Sequence, residues 1–189
     1  MTEKVVSRKD YMVWIDMEMT GLDPDKDRVI EIATIITDGQ LRLIEEGPQF
    51  IVHQPKRVMR AMDEWNRKHH GSSGLTEAVL ASKWTVRAAE RQTLAFIKKY
   101  CPPKTAPLCG NSVHHDRRFL ARHMPKLHEY LHYRLVDVSS IKELVKRWYG
   151  PVRFPAKKEC HRALDDIRES IEELKFYRRK YFKAPRIHP

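Results

Sequence analysis

Residues 13–22 read VWIDMEMTGL, and the fold turns on that order. Val13, Trp14, Ile15 and Met17 make the apolar run of a buried strand, yet Asp16 and Glu18 interrupt it one residue apart. Side chains alternate along a strand, so both carboxylates project to the same face. Like charges so placed repel unless something positive is shared between them. A strand end emerging into solvent is the alternative, and the rest of the chain decides between the two.

On either side the chain reads as alternating strands and helices. RVIEIATIITDG (28–39) is rich in β-branched residues and closes on Asp-Gly, a hairpin signal, and QFIVHQ (49–54) supplies a third strand. RAMDEWNRKHH (60–70) has helical spacing and runs into GSSG (71–74), a break that lacks the lysine of a phosphate-binding loop and is assigned to turn geometry. A helix from about Thr85 to Tyr100 is closed by Pro102 and Pro103. APLCGNS (106–112) is a short buried strand, 113–131 is helical, RLVDVSS (134–140) is another strand and IKELVKRW (141–148) another helix. After a loop at Gly150, Pro151 and Pro155, a last long helix runs from near His161 to about Phe182. This order predicts an α/β domain whose mixed sheet is antiparallel at the start and parallel where helices cross over.

The 189 residues, 41% of them hydrophobic, suit one domain over 1–189, with a basic, aromatic-containing tail from about residue 176. Cys101, Cys109 and Cys160 form no CxxC pair and leave one thiol over in any disulfide scheme, which points to a reducing, cytoplasmic setting. No run approaches the roughly 20 apolar residues of a membrane span, and the first ten residues have no apolar signal region. Thirty-six Lys and Arg against 25 Asp and Glu give a formal charge of +11, which favours a polyanionic partner, nucleic acid first. A carboxylate cluster within so basic a chain implies cations in a field that draws in phosphates.

Two more acids complete such a cluster. In GNSVHHDRRFL (110–120), Asp116 precedes Phe119 and Leu120 by three and four residues, so on a helix it shares their apolar face. His114 and His115 diverge by about 100° on that helix and read as surface or packing residues. In CHRALDDIRESIEEL (160–174), Leu164, Ile167, Ile171 and Leu174 form the buried stripe; Asp165 falls among Arg168 and Glu172, whereas Asp166 falls beside Ala163 and Ser170, where a helix can approach closely. Asp166 is therefore the functional acid. His161, about 140° round from it on a regular helix, is expected in the loop entering the helix. Asp137 is a further acid, suited to a helix N-cap or to the outer metal shell. Asp16, Glu18, Asp116 and Asp166 bring four negative charges, enough for two divalent cations, and all-oxygen ligation favours Mg²⁺ or Mn²⁺. Such a pair activates water for in-line phosphoryl displacement, with His161 as general base.

DMEMTGL, GNS with Asp116, and HRALDDI together resemble the DEDDh branch of the DnaQ-like 3'→5' exonucleases. IDMEMTGLDP, MDEWN, GNSV, DRRFL, YRLVDVSSIKEL and HRALDDIRESIEEL resemble, over nearly the whole chain, the oligoribonuclease family. The resemblance implies a ribonuclease H-like, five-stranded mixed sheet flanked by helices, metals on Asp16, Glu18, Asp116 and Asp166, and His161 as base. It implies a homodimer that cuts very short RNA, especially dinucleotides, to mononucleotides. Leu22 and Trp65 would hold the bases; Ser112, Ser139 and His70 would cap the terminal phosphate; Tyr133 and Arg134 would reach over from the partner. Spacing alone reads Trp65 as a core aromatic. A proofreading-type DNA exonuclease shares the five catalytic positions, and a non-catalytic nucleic-acid binder is the remaining alternative.

Overall fold

The computed structural model describes residues 7–151 and 162–183. Strand β1 (Met12–Met19) lies at the centre of a five-stranded sheet with β2 (Val29–Thr37), β3 (Leu43–Ile51), β4 (Leu108–Gly110) and β5 (Leu135–Asp137), in the order β3-β2-β1-β4-β5. The β3-β2-β1 half is antiparallel, whereas β1, β4 and β5 run parallel, joined by helical crossovers. This is the mixed sheet expected of a ribonuclease H-like fold.

Alternation along β1 sorts the core into two layers. Val13, Ile15 and Met17 pack with Ile32, Ile36, Leu108, Ile97, Phe119 and Leu120, under α4 (Val86–Tyr100) and α5 (His114–His123). Trp14 faces the other way, with Ile35, Val138, Ile167, Ile171 and Tyr177, under α7 (Val138–Tyr149) and α8 (Ala163–Tyr181). Asp16 and Glu18 share the parity of Trp14, so they point toward the layer of α8. The indole of Trp14 donates to Thr37 Oγ1 at 2.9 Å, so this buried ring leaves no polar atom unmatched.

Several boundaries differ from the sequence expectation; β5, for one, stops at Asp137, whose side chain caps α7, so Val138–Ser140 are helix rather than strand. Strand β3 begins at Leu43 rather than near Gln49, because it is an edge strand whose register shifts opposite Ala33 and Ile35, and such a place tolerates Pro48. The helix expected from residue 60 begins at Glu64, in α2 (Glu64–Ser72), since Asp63 caps it by accepting from Asn66 N at 2.8 Å, while Arg60 closes a separate short helix, α1 (Lys56–Arg60). The break at 71–74 is half helix and half turn: α2 takes Gly71 and Ser72, the expected turn falls at Ser73 and Gly74, whose φ of 72° suits glycine, and it leads into an unanticipated α3 (Leu75–Ala81). That seven-residue helix is held by burying Leu75 and Val79 against Ile30, Met59 and Met62 rather than by propensity. Residues 113–131 divide at Met124 into α5 and α6 (Pro125–Tyr130); buried Glu90 accepts from Lys126 N (2.7 Å) and Leu127 N (3.2 Å), taking the place of an N-cap. Helix α8 starts at Ala163, and its end carries Phe176, Tyr177 and Tyr181 packed in the Trp14 layer, with Arg178, Arg179 and Lys180 exposed. Among the described residues no helix is long and apolar enough to cross a membrane.

Candidate active site

The end of β1 is where the two layers meet. Carboxylate oxygens of Asp16, Glu18 and Asp166 lie within 4.8 Å of one another. Asp166 arrives from the first turn of α8. Asp116 comes from the opposite layer, on the first turn of α5, and is buried. Asp165, one residue from Asp166, instead pairs with Arg168 at 2.9 Å on the exposed side, as the helical face requires.

Electrostatics tie the four acids together. Burial pushes Asp16 well above the usual carboxylate range, and the charges of Asp116, Glu18, Asp166 and Glu31 add to the rise. Glu18 is pushed up to about 8, by burial and then by Asp166, Glu31 and Asp116, with Arg162 opposing. Asp116 is likewise pushed up to about 8 by burial, against which backbone N–H groups, that of Met17 among them, act. Carboxylates this closely packed and this reluctant to ionise alone fit a hard divalent cation, which supplies the missing positive charge through oxygen ligands. The acidic cluster is thus suited to divalent metal.

The residues suggested for substrate fall on several elements, and of them His70 is in direct reach of the cluster, 3.9 Å from Glu18. The loop after β1 leaves Leu22 59% exposed, and α2 leaves Trp65 61% exposed, stacked on His69 at 3.8 Å. Trp65 is not a core aromatic, because α2 buries only His70 and turns its other face outward. His70 is buried; its Nε2 donates to the Met19 carbonyl at 3.0 Å and its Nδ1 lies 3.9 Å from Glu18, which fastens α2 to the end of β1. Ser112 and Ser139 sit together, hydroxyl to hydroxyl, at 3.1 Å. Ser112 N donates to both Asp137 Oδ1 and Ser139 Oγ at 3.0 Å, and Ser112 holds a φ of 50°. Asp137 is the N-cap of α7, accepting from Ser139 N at 2.9 Å. Tyr133 is 73% exposed, with the Arg134 guanidinium 5.5 Å from its ring centre. His114 is exposed and lies 3.7 Å from Asp137, and its ring meets that of His115. His161 lies outside the described residues, as do Cys160 and residues 184–189.

Among the buried acids that escaped the sequence reading are Glu31 and Glu173. Glu31, opposite Glu18 in the β1–β2 register, is gripped by Arg162. Glu173 accepts from Tyr177 Oη at 2.8 Å and Asn111 Nδ2 at 3.2 Å and pairs with Lys142 at 3.4 Å; Asn111 in turn accepts from Ser139 Oγ. Only the run VIEIA, a single acid inside an apolar strand, carried a signal for Glu31.

Residues 13–174 match the RNase_T family, described as exonuclease. The chain is 58% identical to an oligoribonuclease of Acinetobacter baylyi, covering 90% of this chain and 94% of that one. It is 52% identical to one from Dichelobacter nodosus (95% and 99% covered) and 54% identical to one from Pseudomonas aeruginosa strain PAO1 (91% and 96% covered). Among solved structures, exonuclease I superposes with a TM-score of 0.70 at 14% identity; 91% of this chain spans 41% of that longer protein. The E. coli exonuclease I complex with a 5cy-dT13 oligonucleotide gives 0.69 at the same identity, with 91% of this chain spanning 41% of that one. At that distance the likeness extends to the fold, whereas identity above one half along nearly the full length of both chains extends to the family: this chain belongs to the exonuclease family, in its oligoribonuclease group.

Proposed function

We propose that the protein is a 3'→5' exoribonuclease that degrades short oligoribonucleotides, especially dinucleotides, to 5'-mononucleotides with two divalent ions, Mg²⁺ or Mn²⁺. The observation that carries it is the convergence of Asp16, Glu18 and Asp166, with Asp116 beside them, at the end of the central strand. Four carboxylates balance the charge of two such ions. When bound, the metals polarise the attacking water and offset charge developing on the phosphoryl group and the leaving oxygen.

The chain's own residues do the rest. Leu22 and Trp65 present apolar surface to the bases, and stacking on an exposed indole is indifferent to base identity. Ser112 and Ser139 hold a terminal phosphate at the start of α7, where the helix dipole favours an anion; the Ser112 hydroxyl is the donor, since that of Ser139 is given to Asn111. His70 secures the helix that bears Trp65. His161 takes the proton of the attacking water. Tyr133 and Arg134, exposed on one subunit, close over the terminal phosphate held by the other in a homodimer, and the guanidinium suits a bidentate grip on phosphate. The chain acts as a single exonuclease domain. Free, buried Cys101 and Cys109 suit a reducing cytoplasm.

A labelled RNA series from two to about ten nucleotides, run beside matched DNA with Mg²⁺ and with Mn²⁺, tests this. Fastest turnover of the RNA dinucleotide is the expected result. Preference for long DNA would replace the reading with a proofreading-type exonuclease, and metal binding without turnover would leave a non-catalytic binder.

A further inference from the structure

Glu31 is completely buried in β2, directly across from Glu18. Residues opposite each other on paired strands point to the same face, so Glu31 is a fifth carboxylate on the face that bears Asp16 and Glu18. Its charge adds to the raised pKa values of both. Its oxygens, however, are turned to other tasks. Oε1 accepts from Arg162 Nη2 at 2.8 Å, from Arg162 Nε at 3.1 Å and from Gln49 Nε2 at 2.7 Å. Oε2 accepts from Arg162 Nε at 3.2 Å and from Ala163 N at 3.3 Å. A carboxylate has about four lone-pair directions, so these contacts leave no place for a metal.

What Glu31 grips is the start of α8. Ala163 is the first residue of that helix, and Asp166 follows three residues later, about 4.5 Å along the axis. No side chain caps α8 at Arg162, so the Glu31 carboxylate, reaching from the sheet, takes an N–H that a local cap would otherwise take. A bidentate Arg–carboxylate pair fixes orientation as well as distance. The position of Asp166 relative to Asp16 and Glu18 is thereby referred to β2.

We propose that Glu31 is a positioning residue for the metal centre: through Arg162 and Ala163 N it sets where Asp166 meets Asp16 and Glu18, without being a ligand itself. The inference rests on the hydrolytic reading above. Two variants test it, Glu31→Gln, and Arg162→Lys, which keeps the charge, loses the fork and sits at a partly exposed position should the buried variant not fold. Mn²⁺ affinity is measured calorimetrically without RNA, and dinucleotide hydrolysis is measured separately. Glu31→Gln should weaken Mn²⁺ binding and lower kcat by roughly 10- to 100-fold, as losses behind a ligand shell do, with KM for the dinucleotide near that of the parent. Arg162→Lys should show the same pattern more weakly, and the double variant should be no worse than Glu31→Gln, because the two act as one unit. A lower Tm with unchanged Mn²⁺ affinity and kcat would make the pair a structural clamp and overturn the proposal. Loss of Mn²⁺ binding as complete as in Asp16→Ala would make Glu31 a ligand and would overturn it equally. If the parent protein binds Mn²⁺ but cuts no RNA, the hydrolytic reading fails, while the Mn²⁺ affinities of the variants still decide the positioning claim.

Discussion

Asp166 and Asp165 are adjacent in the chain and opposite in role, and the difference is one of helical face. Asp165 has Arg168 and solvent; Asp166 has two other carboxylates. Replacing Asp16, Glu18, Asp116 or Asp166 with Ala should therefore cost more activity than the roughly 10- to 100-fold typical of an outer-shell loss. Asp165→Ala should stay near parent activity, and steady-state hydrolysis of a dinucleotide checks the set. The raised carboxyls also give a pH signature to the metal-free protein. Glu18 and Asp116, each held near 8, bind protons in the folded chain that the unfolded chain has already released above its ordinary carboxylate range. Stability from these groups is therefore fully present below the ordinary range and is lost as pH rises toward 8. In chelator, Tm should fall between pH 5 and pH 8, and Asp116→Asn should flatten that fall; a Tm that rises across the window would contradict it. Metal should restore more stability at the upper end, where its ligands ionise with least cost.

At the level of elements, the loop between β1 and β2 holds Leu22 by a small internal network. Asp27 accepts from Thr20 Oγ1 and from Asp23 N, both at 3.0 Å, and the loop is tied to α5 by Arg122–Asp25 at 3.0 Å and His123–Pro24 O at 2.9 Å. A Cβ on Gly21 would collide with the carboxylate of Asp27, so Gly21→Ala must push that carboxylate away and shift Leu22 with it. If Leu22 contacts a base as proposed, the expected outcome is a several-fold higher KM for dinucleotides, since the shift moves apolar surface away from the base. Mn²⁺ affinity should be unchanged. Asp27→Ala should act in the same direction, and kinetic and calorimetric measurements on the two variants separate loop from metal centre.

For the whole molecule, the proposed dimer makes a complementation experiment decisive. Arg134→Ala leaves a subunit with its own metal centre but no clamp to lend, and Asp16→Ala leaves the reverse. Each alone should be poor, and mixing them should recover activity at the sites that combine a sound metal centre with a sound partner's Arg134. Strictly additive activities after subunit exchange, or a monomer by light scattering at assay concentration, would remove Tyr133 and Arg134 from the shared site. The formal charge of +11 also acts at this scale. Association with RNA should weaken steeply between about 50 and 200 mM salt, less so for a dinucleotide than for a longer strand, because fewer phosphates displace counterions.

The local periodicities of the chain were sufficient for much of this protein. Alternation in VWIDMEM put Asp16 and Glu18 on one face, three- and four-residue spacing put Asp116 with Phe119 and Leu120, and the same spacing separated Asp166 from Asp165, because these relations lie within one strand or one helix. Motif likeness rather than periodicity pointed to Trp65, whose exposure depends on what α2 packs against. Tertiary structure alone decided the rest. Helix α3 exists through burial of Leu75 and Val79 under β2, the division of 113–131 depends on Glu90 from another helix, and β3 extends back to Leu43 because β2 offers it a partner. Glu31 is the clearest case. Within its own strand it is an acid out of place, and its meaning comes from Arg162, 131 residues away, since a hydrogen-bond partner at that separation leaves no periodic trace in the chain.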